Sequence, residues 1–117
     1  MRVMVLVKAT PQSEADAFDA DFMAATMAAM GRFNAELQAA GILVMADGLM
    51  ASGHGKRVAF DGDSRRVSDG PFGPAHELVA GFWLWDVKDI DEAVAWVQRC
   101  PNPMPVASVI GIRQVQC

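Results

Sequence analysis

The segment SDGPFGPAHELVAGFW, Ser68 to Trp83, holds the side chains of this chain best suited to chemistry. Asp69, His76 and Glu77 bring two carboxylates and an imidazole into one short stretch. Histidine is the side chain whose proton moves near neutral pH, so His76 is the candidate general acid or base. The chain has no tyrosine, which removes a phenol as the alternative acid. His76 and Glu77 are adjacent. If strand geometry has begun there, they point to opposite faces and only one of them addresses a pocket. Two readings stay open for DGPF. Asp69 can accept hydrogen bonds from the turn it begins, Gly70 tolerates φ > 0 and Pro71 holds φ near −65°, so a structural turn explains the motif. Alternatively the turn is rigid so that Asp69, His76 and Glu77 converge on a pocket. An exposed strand-end histidine without a role is the plainer account of His76.

Other candidates are dispersed. His54 lies between two glycines in SGHGK, where it is either a solvated loop residue or part of a lid. His54, His76, Glu77 and Asp69 carry metal-binding atoms but lack a spacing such as H-x3-H or C-x2-C, so no metal is expected. Lys8 and Arg113 interrupt apolar runs near the two ends of the chain. They are candidates to grip a ligand carboxylate, Arg113 with a bidentate fork, though a salt bridge to Asp86 or Glu77 is the simpler role. Trp83 and Trp85 share a strand face and either flank a planar ligand or pack a dimer. Phe72 joins Trp83 as a candidate substrate contact. The methionines Met23, Met27 and Met30, with Met4, Met45 and Met50, suit core packing or an adaptable pocket. Cys100 precedes Pro101 at a helix C-terminus, where the dipole raises its pKa and makes it a poor nucleophile.

The elements that position these residues follow from periodicity. RVMVLVK, Arg2 to Lys8, reads as an inner strand. ATPQSEADAFDAD reads as a loop or a frayed helix start. From Asp21 the residues Met23, Met27, Met30, Phe33 and Leu37 recur at helical spacing, and Gly41 suits the position after the helix end. A second strand begins at Ile42. ASGHG is a flexible connection, and Lys56–Gly70 reads as a hairpin with strands around Val58–Phe60 and Arg66–Ser68 about a DGD turn. LVAGFWLWDV, Leu78 to Val87, is the strongest strand. It sets Val79, Gly81, Trp83 and Trp85 on one side and Leu78, Ala80, Phe82 and Leu84 on the other. Asp89 with Glu92 has capping-box spacing. The helix that follows, Ile90 to Arg99, turns Ile90, Ala93, Val94, Trp96 and Val97 to one side. After PNPMP, ASVIGIRQV supplies the last strand.

Without its hairpin this order is a split β-α-β layout of the ferredoxin-like kind, α+β in class, in a single domain spanning 1–117. Such a sheet carries helices on one face only. Its strands are apolar on both sides, so a second copy is expected to cover the other face.

Composition narrows the functions. The net charge is −4 and no basic stripe occurs, which excludes a general nucleic-acid or anionic-membrane binder. No apolar run reaches membrane-spanning length and no leader pattern is seen. A cytoplasmic protein is expected. Cys100 and Cys117 are taken as free thiols, although a bond between them stays open. There is no G-x-G-x-x-G, P-loop, G-x-S-x-G or H-E-x-x-H pattern, and no cofactor is expected.

DGPF followed by Glu77, GFWLWDVKDIDEAVAWVQRCPNPMP, IRQV, the opening MRVMVLVKAT and MGRFNAELQAAGILVMADGL together resemble the DGPF-domain branch of the YciI-like, or YCII-related, family. The resemblance spans essentially the whole chain. It implies a ferredoxin-like domain that pairs as a dimeric α/β barrel, with no settled activity. Pro74 stands where that family commonly has Glu, and His76 where it has Lys. The expected function is a homodimer with a small-molecule pocket between sheet and helices, lined by Met, Trp and Phe, with Asp69, His76 and Glu77 at its rim. Chemistry there, if any, is acid/base catalysis by His76. The alternative is a non-catalytic dimer that binds a ligand or a regulatory protein.

Overall fold

A computed structural model describes residues 1–116. Cys117, and with it any bond to Cys100, lies outside the described residues. The order is β1 (Arg2–Lys8), α1 (Pro11–Glu14), α2 (Ala20–Ala39), β2 (Leu43–Gly48), β3 (Lys56–Asp61), β4 (Ser64–Asp69), β5 (Val79–Asp86), α3 (Ile90–Gln98) and β6 (Ile110–Gln114). Single 3-10 turns occupy Ser52–His54 and Ala75–Glu77. The main sheet runs β2-β5-β1-β6 with every pairing antiparallel. β5 therefore lies between the two strands that α2 connects, the split β-α-β arrangement expected. The fold is α+β. Among the described residues no helix is long and apolar enough to cross a membrane.

One face of this sheet is sealed. Val3, Val5 and Val7 of β1 alternate inward and pair across the ladder with Trp85, Trp83 and Gly81. Phe33 and Leu37 of α2, Ala93 of α3 and Met104 close over them. Phe33 meets Trp83 edge-on at 6.0 Å between ring centroids, and Trp83 lies 5.7 Å from Trp85. Such tilted pairs suit the ring quadrupoles and add to the area they bury. On the other face Met4, Leu6, Phe82 and Leu84 form a half-buried apolar patch that no element among the described residues covers.

Local chemistry sets the boundaries. Asp19 caps α2, accepting from the Phe22 amide at 2.7 Å, so the helix starts slightly earlier than its apolar periodicity suggests. Gly41, at φ +74°, ends it: the amides of Gly41 and Ile42 donate to Gln38 and Leu37, both bonds of a Schellman motif. The stretch before α2 is more ordered than a loop. Thr10 and Ser13 cap each other reciprocally around α1, with Pro11 at its first position. In α3, Asp89 accepts from Glu92, while the Glu92 carboxylate accepts from Lys88 rather than from its cap residue.

Two helix faces are narrower than their spacing implies. α2 is about 30 Å long, and only its C-terminal part lies over the sheet. Phe33 and Leu37 are buried, whereas Met23 and Met27 overhang at 47% and 72% exposure. In α3 the contact centres on Ala93, Trp96 and Val97, leaving Ile90 and Val94 exposed.

β3 and β4 form a separate two-stranded ribbon, longer than the two short strands anticipated, with every residue exposed. Gly62 takes φ +56° at the first turn position, as a type II′ hairpin turn requires. Register puts Val58 opposite Val67 and Phe60 opposite Arg65 on one side of the ribbon. The ribbon stands off the body. The radius of gyration is 15.8 Å, against roughly 13 Å for a compact chain of this size.

Leu37→Ala is expected to lower unfolding stability by about 2–5 kcal/mol, because it opens a cavity in sealed packing. Met27→Ala, on the overhang, should change it by no more than about 0.5 kcal/mol. Urea melts of the two variants check this; equal losses would mean that the N-terminal half of α2 is also packed.

Candidate functional site

The DGPF turn is built from two directions. Asp69 ends β4 and pairs with the ammonium of Lys56 across the ribbon, both groups well exposed. The Gly70 amide donates to the Gly55 carbonyl at 2.9 Å. A Cβ on Gly70 would sit 1.8 Å from the Ser52 carbonyl oxygen, so no side chain fits. Ser52 then works as a relay. Its hydroxyl accepts the Phe72 amide at 2.8 Å and donates to Glu14, while its own amide donates to the second Glu14 oxygen at 2.9 Å. The Arg57 guanidinium lies 4.0 Å above the Phe72 ring. The Gly70–Pro71 and Gly73–Pro74 peptide bonds are cis. The turn is thereby tied to α1 through Glu14. No local pattern marks Glu14 or Ser52, which are separated by 38 residues in sequence.

The three residues singled out for acid/base chemistry do not meet at a cavity. His76 and Glu77 are exposed on the 3-10 turn Ala75–Glu77. Strand geometry begins only at Val79, so the rule of opposite faces does not apply to them. Pro74 precedes this turn, which puts both departures from the family pattern, Pro74 and His76, at the surface. His54 ends the other 3-10 turn and is exposed. Among the described residues no His, Cys, Asp or Glu side chains cluster in a way that would hold a metal ion, these four included.

β1 and β6 are neighbours, as expected, but antiparallel. Arg113 pairs with Met4 while Lys8 lies at the far end of β1, about 13 Å along the strand. Asp86 faces the Met1 amino group at 3.7 Å instead of either cation.

A cavity does exist between sheet and helices, of about 470 Å³. Its cause is a gradient of side-chain size. Along the helix-facing side of β5, Trp85 and Trp83 give way to Gly81, and on β2 the partners of Trp83 and Gly81 are Ala46 and Gly48. A Cβ added at Gly48 would meet nothing within 4 Å. Val7, Phe18, Met30, Met104 and Trp83 supply apolar walls. Met, Trp and Phe side chains line it, whereas Asp69, His76, Glu77, Phe72, Lys8 and Arg113 are absent from its lining. The rim is made by the α1–α2 connection, where Asp16 turns the chain at φ 51°, a conformation Asp tolerates better than most residues. Asn34 of α2 also lines the space and accepts a hydrogen bond from Trp83 Nε1 at 2.8 Å. The sequence reading passed over Asn34 and Asp16. The polar Asn34 on an otherwise core-directed helix face, one residue after Phe33, was the available signal.

Burial pushes the Cys100 thiol from its ordinary 9.0 up to about 11. The direction matches the expectation, but the cause is desolvation rather than the helix dipole. The neutral thiol is the form the fold favours. Its contribution to stability is complete below pH 9 and disappears as pH rises towards 11. Alkylation of Cys100, followed by peptide mapping, should stay slow at pH 8–9 and accelerate only as pH approaches 11; brisk labelling at pH 8 would contradict the burial. Separately, Ser52→Ala should speed hydrogen exchange at the Phe72 amide while leaving that of Val5 in β1 unchanged. Equal protection at Phe72 in both proteins would show that the relay does not hold the turn.

The whole described chain has a counterpart among known domains. A model of the YCII-related domain matches residues 1–116. No curated protein matches the sequence. With this match running over residues 1–116, the chain belongs to the YCII-related domain family.

Proposed function

We propose that the protein is a homodimeric small-molecule-binding domain whose ligand enters the cavity between α2 and the glycine-bearing end of the sheet. The single observation that carries this reading is the cavity itself. At about 470 Å³ it falls within the range of roughly 300–1,000 Å³ common for ligand sites. It also has the usual construction of such sites, aromatic and aliphatic walls with a few polar groups. Neither histidine lines it, so the reading is of binding, with no proton transfer assigned to His76.

The second copy covers the open face of the sheet, pairing two sheets as a dimeric α/β barrel. Met4, Leu6, Phe82 and Leu84 supply the apolar patch, and exposed Met45 and Val44 extend it at the edge strand. A patch this continuous is unusual on the surface of a monomer. The ribbon adds to the argument. An isolated two-stranded hairpin is marginal in water, yet this one turns Val58, Phe60 and Val67 outward, Phe60 at 73% exposure. Contact with another chain supplies the packing it lacks here.

Two measurements test the reading. Sedimentation at micromolar concentration should give a dimer, and Leu6→Lys should shift it to monomer while near-ultraviolet circular dichroism keeps its tryptophan signature. A wild-type monomer would overturn the assembly. A screen of small neutral fragments by amide and indole NMR shifts should cluster its responses at Asn34, Gly48 and the Trp83 indole. Responses confined to other surfaces would overturn the site.

A further inference from the structure

We infer that the cavity selects a neutral carbonyl compound, an amide, ester or ketone with an apolar body, and that the Asn34 side-chain amide is its anchor. This rests on the binding role proposed for the cavity and adds the chemical class of the ligand. The indole N–H of Trp83 can only donate. Its bond to Asn34 at 2.8 Å therefore fixes which end of the amide is oxygen, and the NH2 end is left as the donor. Trp83 is 5% exposed, so the indole has no room to turn away and release the amide. Both residues line the cavity. Among the described residues the Asn34 NH2 group has no acceptor in the chain, whereas its oxygen is already used. This group is open to the cavity, where an acceptor on a ligand can take the place of water.

The other polar groups shape the preference. The Ser13 hydroxyl is committed, donating to the Thr10 carbonyl at 3.0 Å and accepting the Thr10 amide at the same distance. The charged residues of the lining are Asp16 and Asp47, and no lysine, arginine or histidine stands among them. An anionic ligand would give up hydration beside the carboxylate of Asp16, whose charge shares its sign, with no lysine, arginine or histidine in the lining to offset the loss. A carbonyl oxygen accepts the same hydrogen bond with no charge to desolvate.

Benzamide, benzoate and benzylamine have nearly the same shape and differ in charge, so titrating each into the full-length protein tests the assignment. Binding is read from the Trp83 indole N–H and Asn34 NH2 signals. Benzamide should bind with shifts at both, and benzoate at least tenfold more weakly. Asn34→Asp keeps an oxygen for the Trp83 indole but removes the NH2 donor. The new carboxylate costs some stability and shifts the indole signal, but near-ultraviolet circular dichroism should keep the tryptophan signature of the folded core while benzamide weakens at least tenfold. Gly48→Val, which fills the open space beside Gly81, should abolish the response to all three probes. Benzoate or benzylamine binding as tightly as benzamide, or Asn34→Asp leaving benzamide affinity unchanged, overturns the ligand class while the cavity reading stands. If no probe binds, or Gly48→Val leaves binding intact, the cavity reading itself falls, and the ligand class with it.

Discussion

The hydrogen bond from Trp83 to Asn34 joins the middle of the sheet to the C-terminal part of α2 across 49 residues of sequence. A buried indole N–H without a partner is costly, and here its acceptor comes from the helix that must cover the strand. The bond sets how α2 lies over β5. It directs Phe33 onto Trp83 and Trp85 on one side of Asn34, and on the other leaves the helix above Gly81 and Gly48, where no side chain rises to meet it. Sealed core and open cavity are two ends of one interface. Trp85 shows the contrast: its own Nε1 is buried without a partner, tolerated in the most tightly packed part of the core.

The polar turn that dominates the chemistry of the sequence serves a different purpose. Glu14 and Ser52 hold it by charge-assisted and backbone hydrogen bonds, and Gly70 is required by the approach of the Ser52 carbonyl. Its rigidity joins three pieces: α1, the loop after β2, and the entry to β5. The ribbon leaves the body beside this junction. DGPF is thus first a connector, and the side chains it leaves exposed, His76 and Glu77, carry no geometry of their own.

Much of this was legible in the residues. The continuous apolar run of β1 marked an inner strand, and alternation along β5 set Trp83 and Trp85 on one face, because successive side chains of a strand point to opposite sides. Asp89 and Gly41 marked helix ends through cap chemistry that is local by nature. The apolar face of α2 was read too far towards its N-terminus. Periodicity reports which residues share a side, not whether a sheet extends beneath them, and Met23 and Met27 overhang for that reason. The same limit separates the candidate residues from the cavity. Asp69, His76 and Glu77 lie close along the chain, whereas a cavity collects residues from distant elements.

Alone, the sequence determined the order of elements, the class of the fold, the apolar character of both sheet faces and the net charge of −4. Each of these follows from short-range patterns or from composition, which survive without knowledge of contacts. The tertiary structure decided that Glu14 and Ser52 hold the turn, that Lys8 and Arg113 stand at opposite ends of neighbouring strands, and that Asn34 faces Trp83 beside an empty space. Those outcomes depend on antiparallel register and on where a helix overlaps a sheet. A glycine opposite a glycine leaves room only when something bulky nearby holds the covering helix away, and Trp83 does that here.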